Sequence, residues 1–572
     1  GSVGLASATG LDFLAIYIGP ILMIGFGHRF VRRIMHLAKT QNILSVSDFV
    51  SARYGKSGRV AAIVAIIAAI GSIPYIALQL KAITVSLRTL LEAVPGGVGG
   101  LTTPAFGTLA LIVAFVLAAF TVTFGTRHID SREHHTGLSI AIAAESAIKL
   151  AAFLTVGIFV VWGMFGGLSA LTSEIMTRAD VRPLLDRSGG FASILAMTVL
   201  STTIILLLPR QFHMTIVENR DETDTKRAAW MFPLYLILIN LFVVPIALAS
   251  DLVFPPGMID RDMAILELPL KAGNGLIALV VFIGGLSAST AMVIVECVAL
   301  ATMISNDLVM PLLLSGKKRL LRARPGDLGG QVLAVRRLAI VLILLAGFIY
   351  FRSTSDAALA SIGLISFTAI AQIAPAFFGG LFWRNGTALG AMAGLIAGLA
   401  MWAYTLILPT LANPAAFGVD ELIRNGPFGL AFLKPTELFG TTLVPIAHGA
   451  FFSLSVNILC YIGFSFLRAP TPIEKLQANL FVSPDNPLRN LNFRRWRSTV
   501  TIGELKRVVG RYLGVDRAEA AFAAYPAPSG IEDQPADLEV LRFAEHQLAS
   551  AIGAASSRRV LSMMLSGGNV SQ

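Results

Sequence analysis

The sequence predicts an all-α, polytopic membrane protein, and three observations predict it: composition, the spacing of apolar runs, and the placement of cations. Of the 572 residues, 55% are hydrophobic and 14% charged, with a mean hydropathy of +0.73. Soluble domains carry roughly 25% charged residues, so this chain lacks the polar surface to remain in water. Apolar runs of about 20 residues recur along it, each long enough to cross a hydrocarbon core of about 30 Å.

The runs predict membrane helices near 11–27, 58–90, 104–123, 137–163, 191–213, 230–250, 275–303, 337–351, 357–382, 388–410 and 442–467. Short basic loops test that count, because Lys and Arg stay on the cytoplasmic side. The loop after the first span holds Arg29, Arg32, Arg33 and Lys39. Alternation from there puts Arg127 and Arg132, then Arg220, Lys226 and Arg227, then Lys317, Lys318, Arg319, Arg322 and Arg324, and finally Arg384 on the same side. Loops 93–103, 165–190, 251–273 and 411–440 are acidic, neutral or rich in Pro and Gly. A missed helix would scramble this pattern. The formal charge of +11 therefore reflects topology, and no nucleic-acid partner is expected.

Cys297 and Cys460 both fall inside apolar runs, which predicts buried thiols and neither a disulfide nor a metal site. Residues 1–467 read as the transmembrane domain. Residues 468–500 read as a linker rich in Pro and Arg whose NFRRWRS segment suits lipid headgroups. From 501 to 565 the pattern becomes helical, with Thr501 three residues before Glu504 as a cap and Leu505, Val508, Val509 and Leu513 at helical spacing. A small cytosolic helical bundle is expected. The chain opens on GSVGLASATG without an initiator Met and is expected to be a piece of a longer protein.

Several stretches together resemble a known family. SVSDFVSARYG at 45–55 and GAMAGLIAGL at 390–399 after GGLFWRNG resemble motifs of the sodium/solute symporters, although Arg384 stands one residue further from the Gly-Ala pair than the usual pattern. PYIALQLKAI, FGTRHIDSREHHTG, LPRQFHMTIVEN and SNDLVMPLLL resemble the symporter-like module of certain bacterial sensor histidine kinases, and 501–565 resembles the helical domain joining that module to the kinase. The resemblance implies a LeuT-type fold, with two inverted five-helix repeats and a midplane site beside two broken helices. Family members of this group have about thirteen spans, so the first two are expected to be missing here, apart from the end of the second in GSVGLASATG. It further implies a small solute, an amino acid above all, a coupling ion (Na+ or H+), and a downstream kinase region or response regulator in the bacterial inner membrane. No kinase signature, nucleophile–base pair or phosphate loop is present in the sequence, so the chain itself reads as a non-enzyme without a cofactor.

In such a protein, charged and polar groups at membrane depth need a reason, since each charge costs roughly 2.5–3.5 kcal/mol on insertion scales. Glu145 and Lys149 are spaced i, i+4 and can pair on one helix face, either to lock helices or to gate. Pro209 interrupts its helix and frees backbone groups. Arg210, Gln211 and His213 follow it as interface anchors or as an inner gate, with Thr202 and Thr203 expected to face the solute. By the family pattern the hydroxyl pair for sodium falls on Ala291 and Met292, which cannot supply it. Ser287, Ser289 and Thr290 are then the nearest oxygen donors, and Glu296 is a candidate proton carrier. Tyr75, Gln79, Ser366, Thr368 and Gln372 sit on spans expected to face the cavity, and Pro375 is expected to kink its helix. Two other readings stay open: a free-standing ion-coupled symporter, and a receptor that binds without transporting.

Overall fold

In the computed structural model, residues 1–93, 103–125, 136–178, 190–219, 221–255, 257–313, 327–353, 359–410, 420–482, 500–523 and 534–567 are described. Arg127, Arg132, Arg220, the basic cluster Lys317 to Arg324 and the NFRRWRS segment lie outside these residues. The described chain is helical, and its β pairing is a single bridge between Thr501 and Pro535.

In chain order the helices are α1 (Ser2–Phe26), α2 (His28–Gln41), α3 (Val46–Arg53), α4 (Gly58–Ala93), α5 (Thr103–Gly125) and α6 (Thr136–Ile158). Then come α7 (Gly190–Leu207), α8 (Pro209–Phe212), α9 (Asp224–Asn240), α10 (Val243–Val253), α11 (Gly275–Met303), α12 (Asp327–Ser353) and α13 (Leu359–Ile370). They are followed by α14 (Ala374–Phe382), α15 (Ala388–Trp402), α16 (Pro445–Phe466) and α17 (Pro472–Val482). The tail holds α18 (Ile502–Leu513), α19 (Val515–Ala523), α20 (Leu538–Ile552) and α21 (Ala554–Gly567). Ten described helical stretches are long and apolar enough to cross a membrane, and Gly107–Thr123 is a shorter apolar helix. Each of the eleven expected runs coincides with one of these. This is a multi-pass membrane protein.

The breaks in the helices have local causes. A residue before proline is pushed out of the α region, and Leu208 accordingly takes φ −58°, ψ 130° between α7 and Pro209. Pro375 sits in the first turn of α14, after a 3₁₀ turn at Ala371–Ile373, and Ala374 before it keeps a helical φ −56°, ψ −47°. In α1 the helix tightens to 3₁₀ over Gly10–Leu14, with Gly10 at φ 59°.

The main core joins α2, α3, α4, α11, α14 and α15, and a second core joins α1, α6 and α10. At the end where the tail packs, Phe49 lies 4.6 Å from Phe377 and 5.3 Å from Phe481, ring centre to ring centre. Arg53 donates to the Gly380 carbonyl at 2.6 Å and the Trp383 carbonyl at 2.7 Å, so a buried cation is held by backbone oxygens. Thr501 and Glu504 form the expected capping box, and Leu505, Val508, Val509 and Leu513 face the core of the helical tail. Cys297 is buried and Cys460 half-buried, both as free thiols.

Candidate functional site

A cavity of ≈550 Å³ opens where the break between α7 and α8 faces α1, α4, α6, α9 and α11. Tyr17 and Pro20, Tyr75, Ser146 and Lys149 contribute to its wall, with Ser201, Leu208, Arg210, Gln211, Tyr235, Met292 and Phe367. The volume lies within the range of about 300–1,000 Å³ typical of small-molecule sites.

The polar inventory is small and directional. The Tyr235 hydroxyl donates to the Ser146 carbonyl at 3.4 Å, and the Tyr75 hydroxyl points to the Met292 sulfur at 3.4 Å. Lys149 pairs with Glu145 at 3.6 Å, as their spacing predicts. Arg210 stands in electrostatic range of Tyr75, Glu145 and Lys149. Its Nη1 is buried without a hydrogen-bond partner, whereas Oε1 of Glu145 is the oxygen that faces Lys149. A buried unpartnered charged group costs free energy until something pairs with it. The wall thus offers one free cationic donor, beside a Lys149 ammonium that Glu145 holds from behind the lining.

A second cavity of ≈260 Å³ lies toward the tail, among Ile24, His28, Met35, Met214 and Asp224. Ile205, Gln211 and Phe232 line both cavities and form the wall between them.

Glu296 is fully buried and lines neither cavity. Its Oε2 accepts the backbone N–H of Arg210 at 3.2 Å, and Oε1 accepts the Ser72 hydroxyl. The first N–H groups of a helix lack intrahelical acceptors, and the break at Leu208 creates such a start in mid-membrane. Glu296 supplies the acceptor.

Of the residues anticipated from the sequence, Tyr75, Lys149, Arg210 and Gln211 meet at the central cavity. Thr202 and Thr203 do not: their hydroxyls bond back to the Thr198 carbonyl at 2.6 Å and the Leu200 carbonyl at 2.8 Å. Ser201 takes the inward position, reaching the Ala15 carbonyl at 3.0 Å. His213 turns to Glu218 at 3.3 Å. Ser287, Ser289 and Thr290 do not line the cavity, and Thr290 bonds to the Leu286 carbonyl. Gln79 is buried away from it.

The polar residues around the α13–α14 kink form a clasp. Ser366 donates to the Gly71 carbonyl and Thr368 to the Leu364 carbonyl at 2.9 Å. The Gln372 amide donates to Ser453 at 2.9 Å, and Asn457 donates to the Gln372 carbonyl at 2.7 Å. Buried amides require partners, and these find them in the helix opposite. Sequence reasoning missed Tyr17, Ser146, Ser201 and Tyr235, for which neighbouring hydroxyls and helix phase were the only signal.

No family model matches the chain. It is 23% identical over 442 residues to the uncharacterized symporter YodF of Bacillus subtilis (strain 168), covering 75% of this chain and 80% of that protein. Among solved structures it is similar, at 14% identity and a TM-score of 0.49, to a substrate-bound, outward-open Na+-coupled sialic acid symporter, covering 82% of this chain and 89% of that one.

Proposed function

We propose that the chain is a symporter-type membrane module that binds and moves a small carboxylate-bearing solute, an amino acid above all, through the central cavity. The observation that carries this is Arg210: a guanidinium with an unpartnered Nη1, set at a helix break beside the Glu145–Lys149 pair. Two cations against one carboxylate leave the wall with an excess positive charge. A carboxylate would pair with Arg210. The likeness to a symporter supports transport as the use of this cavity, and the broken helix α7–α8 suits a LeuT-type arrangement in the bacterial inner membrane.

The tail supports a coupled signalling role. Asn306 of the α11 extension accepts the Ser556 hydroxyl through its carbonyl at 2.8 Å, and Lys56 pairs with Glu545 at 2.7 Å. A movement of α11 would therefore reach α20 and α21, and through them a downstream kinase region or response regulator on the cytoplasmic side.

The test is uptake of labelled amino acids into proteoliposomes holding the whole chain, with Na+ and H+ gradients imposed separately. Uptake that is lost in Arg210→Ala is expected. Binding without uptake would assign a receptor, and neither binding nor uptake of any carboxylate solute would overturn the proposal.

A further inference from the structure

A third cavity, of ≈570 Å³, lies between the transmembrane core and the tail and takes no part in the solute site. Its walls are the start of α4, the stretch after α11, and α21. Lys56, Arg59, Arg558 and Arg559 face it, against one acid, Asp307. That acid is buried and already accepts the Ser47 hydroxyl. Lys56 is paired with Glu545. Arg558 is held to the Gly55 carbonyl at 3.1 Å, a contact that positions the guanidinium and leaves its charge in place. Neither Arg59 nor Arg558 has an ion-pair partner among the described residues. With Lys56 set against Glu545, three arginines face one carboxylate, and the cleft carries a net positive charge in a confined space.

What lies beside it is apolar. Arg59, Ala62, Ile66 and Ile70 recur at the spacing of one helix face, and Ile66 and Ile70 are exposed on α4. Leu312, at the rim, is 75% exposed. Exposed aliphatic side chains on a membrane helix face acyl chains. A basic cleft at the foot of such a strip has the layout of a lipid site: headgroup in the cleft, tails along α4.

We propose that this cleft binds the phosphate headgroup of an anionic membrane lipid, wedged between α4 and α21. The lipid then shares its charge between the core arginine, Arg59, and the tail arginine, Arg558, and docks the tail only where the membrane is anionic. This holds whatever solute the central cavity takes.

Native mass spectrometry of the whole chain, released from nanodiscs of mixed phosphatidylglycerol and phosphatidylcholine, counts the lipids retained. Hydrogen exchange of residues 554–567 in nanodiscs of each composition reads the docking. Each basic residue near an anionic surface contributes about fivefold in binding, so the Arg59→Gln/Arg558→Gln double variant is expected to retain roughly 25-fold less phosphatidylglycerol. It is also expected to lose the protection that phosphatidylglycerol gives α21. Arg227→Gln, the loss of one positive charge at an exposed site on α9, is expected to behave as wild type and controls for an unspecific effect of removing an arginine. Equal protection in purely phosphatidylcholine nanodiscs, or unchanged retention in the double variant, overturns the proposal. Protection restored in neutral nanodiscs by inorganic phosphate or glycerol 3-phosphate alone would overturn the lipid assignment in favour of a soluble phosphate compound.

Discussion

Glu296 on α11 accepts the backbone amide of Arg210 at 3.2 Å, so the helix that carries the brace and the helix break that carries the cavity-lining cation are fixed to each other by one side chain. The second oxygen takes Ser72 of α4. Three elements thus converge on a carboxylate with no water-facing surface.

Removing this acceptor leaves buried donors unsatisfied, at about 1–3 kcal/mol each. Glu296→Ala should therefore destabilise the protein by about 2–6 kcal/mol and lower its melting temperature in detergent. Glu296→Gln keeps one acceptor oxygen and should melt closer to wild type. If Gln preserves stability yet uncouples uptake from an imposed proton gradient, Glu296 carries the proton; uptake still driven by that gradient confines it to the brace.

Arg210→Ala should weaken binding of a carboxylate solute by roughly 10–150-fold, the equivalent of a charge-assisted hydrogen bond worth about 1.5–3 kcal/mol. Arg210→Lys keeps the charge and loses the planar fork, so it should recover part of the affinity. The same solute as its amide should bind wild type weakly and should be nearly insensitive to Arg210→Ala. Equal loss for acid and amide would remove Arg210 from carboxylate recognition.

The parts of this architecture that depend on neighbours in sequence were legible beforehand. Apolar length gave the spans, Pro209 and Pro375 gave the kinks, the i, i+4 spacing gave Glu145 with Lys149, and Thr501 with Glu504 gave the cap. Long-range pairing was not legible. Asn457 meets Gln372 and Asp48 meets Ala554 across 85 and 506 residues, and nothing local encodes either meeting. Helix phase was the subtler loss. Among the successive hydroxyls Ser201, Thr202 and Thr203, a rotation of about 100° per residue lets one reach the cavity, and the other two satisfy themselves on the preceding turn.

Gln211 stands in the wall shared by the two solute-side cavities. Gln211→Ala should open that wall. In a background lacking Cys297 and Cys460, a Ser201→Cys thiol should then react with a membrane-impermeant reagent from the tail side at least several-fold faster than with Gln211 intact. An unchanged rate would place the barrier at Ile205 and Phe232 alone.

Asp48 on α3 accepts the Ala554 amide at 3.2 Å and so caps α21 from the transmembrane core. Burial raises its carboxyl to about 6, against the opposing pull of the Leu44 and Ala554 amides and of Lys56. Asp307 faces it through Ser47 and Ser45. A carboxyl whose folded value exceeds the free value near 3.9 binds its proton more readily when folded. The stabilisation from the protonated form is then fully present below about pH 4 and is lost as pH rises through about 6. The melting temperature and the exchange protection of α21 should accordingly fall between pH 4 and 6 and level off above 7, by an amount of order 2–3 kcal/mol. Asp48→Asn should reduce this slope, whereas Asp307→Asn separates the contribution of its neighbour. A slope unchanged in Asp48→Asn would assign the titration elsewhere and leave Asp48 as a cap whose charge state is indifferent to tail docking.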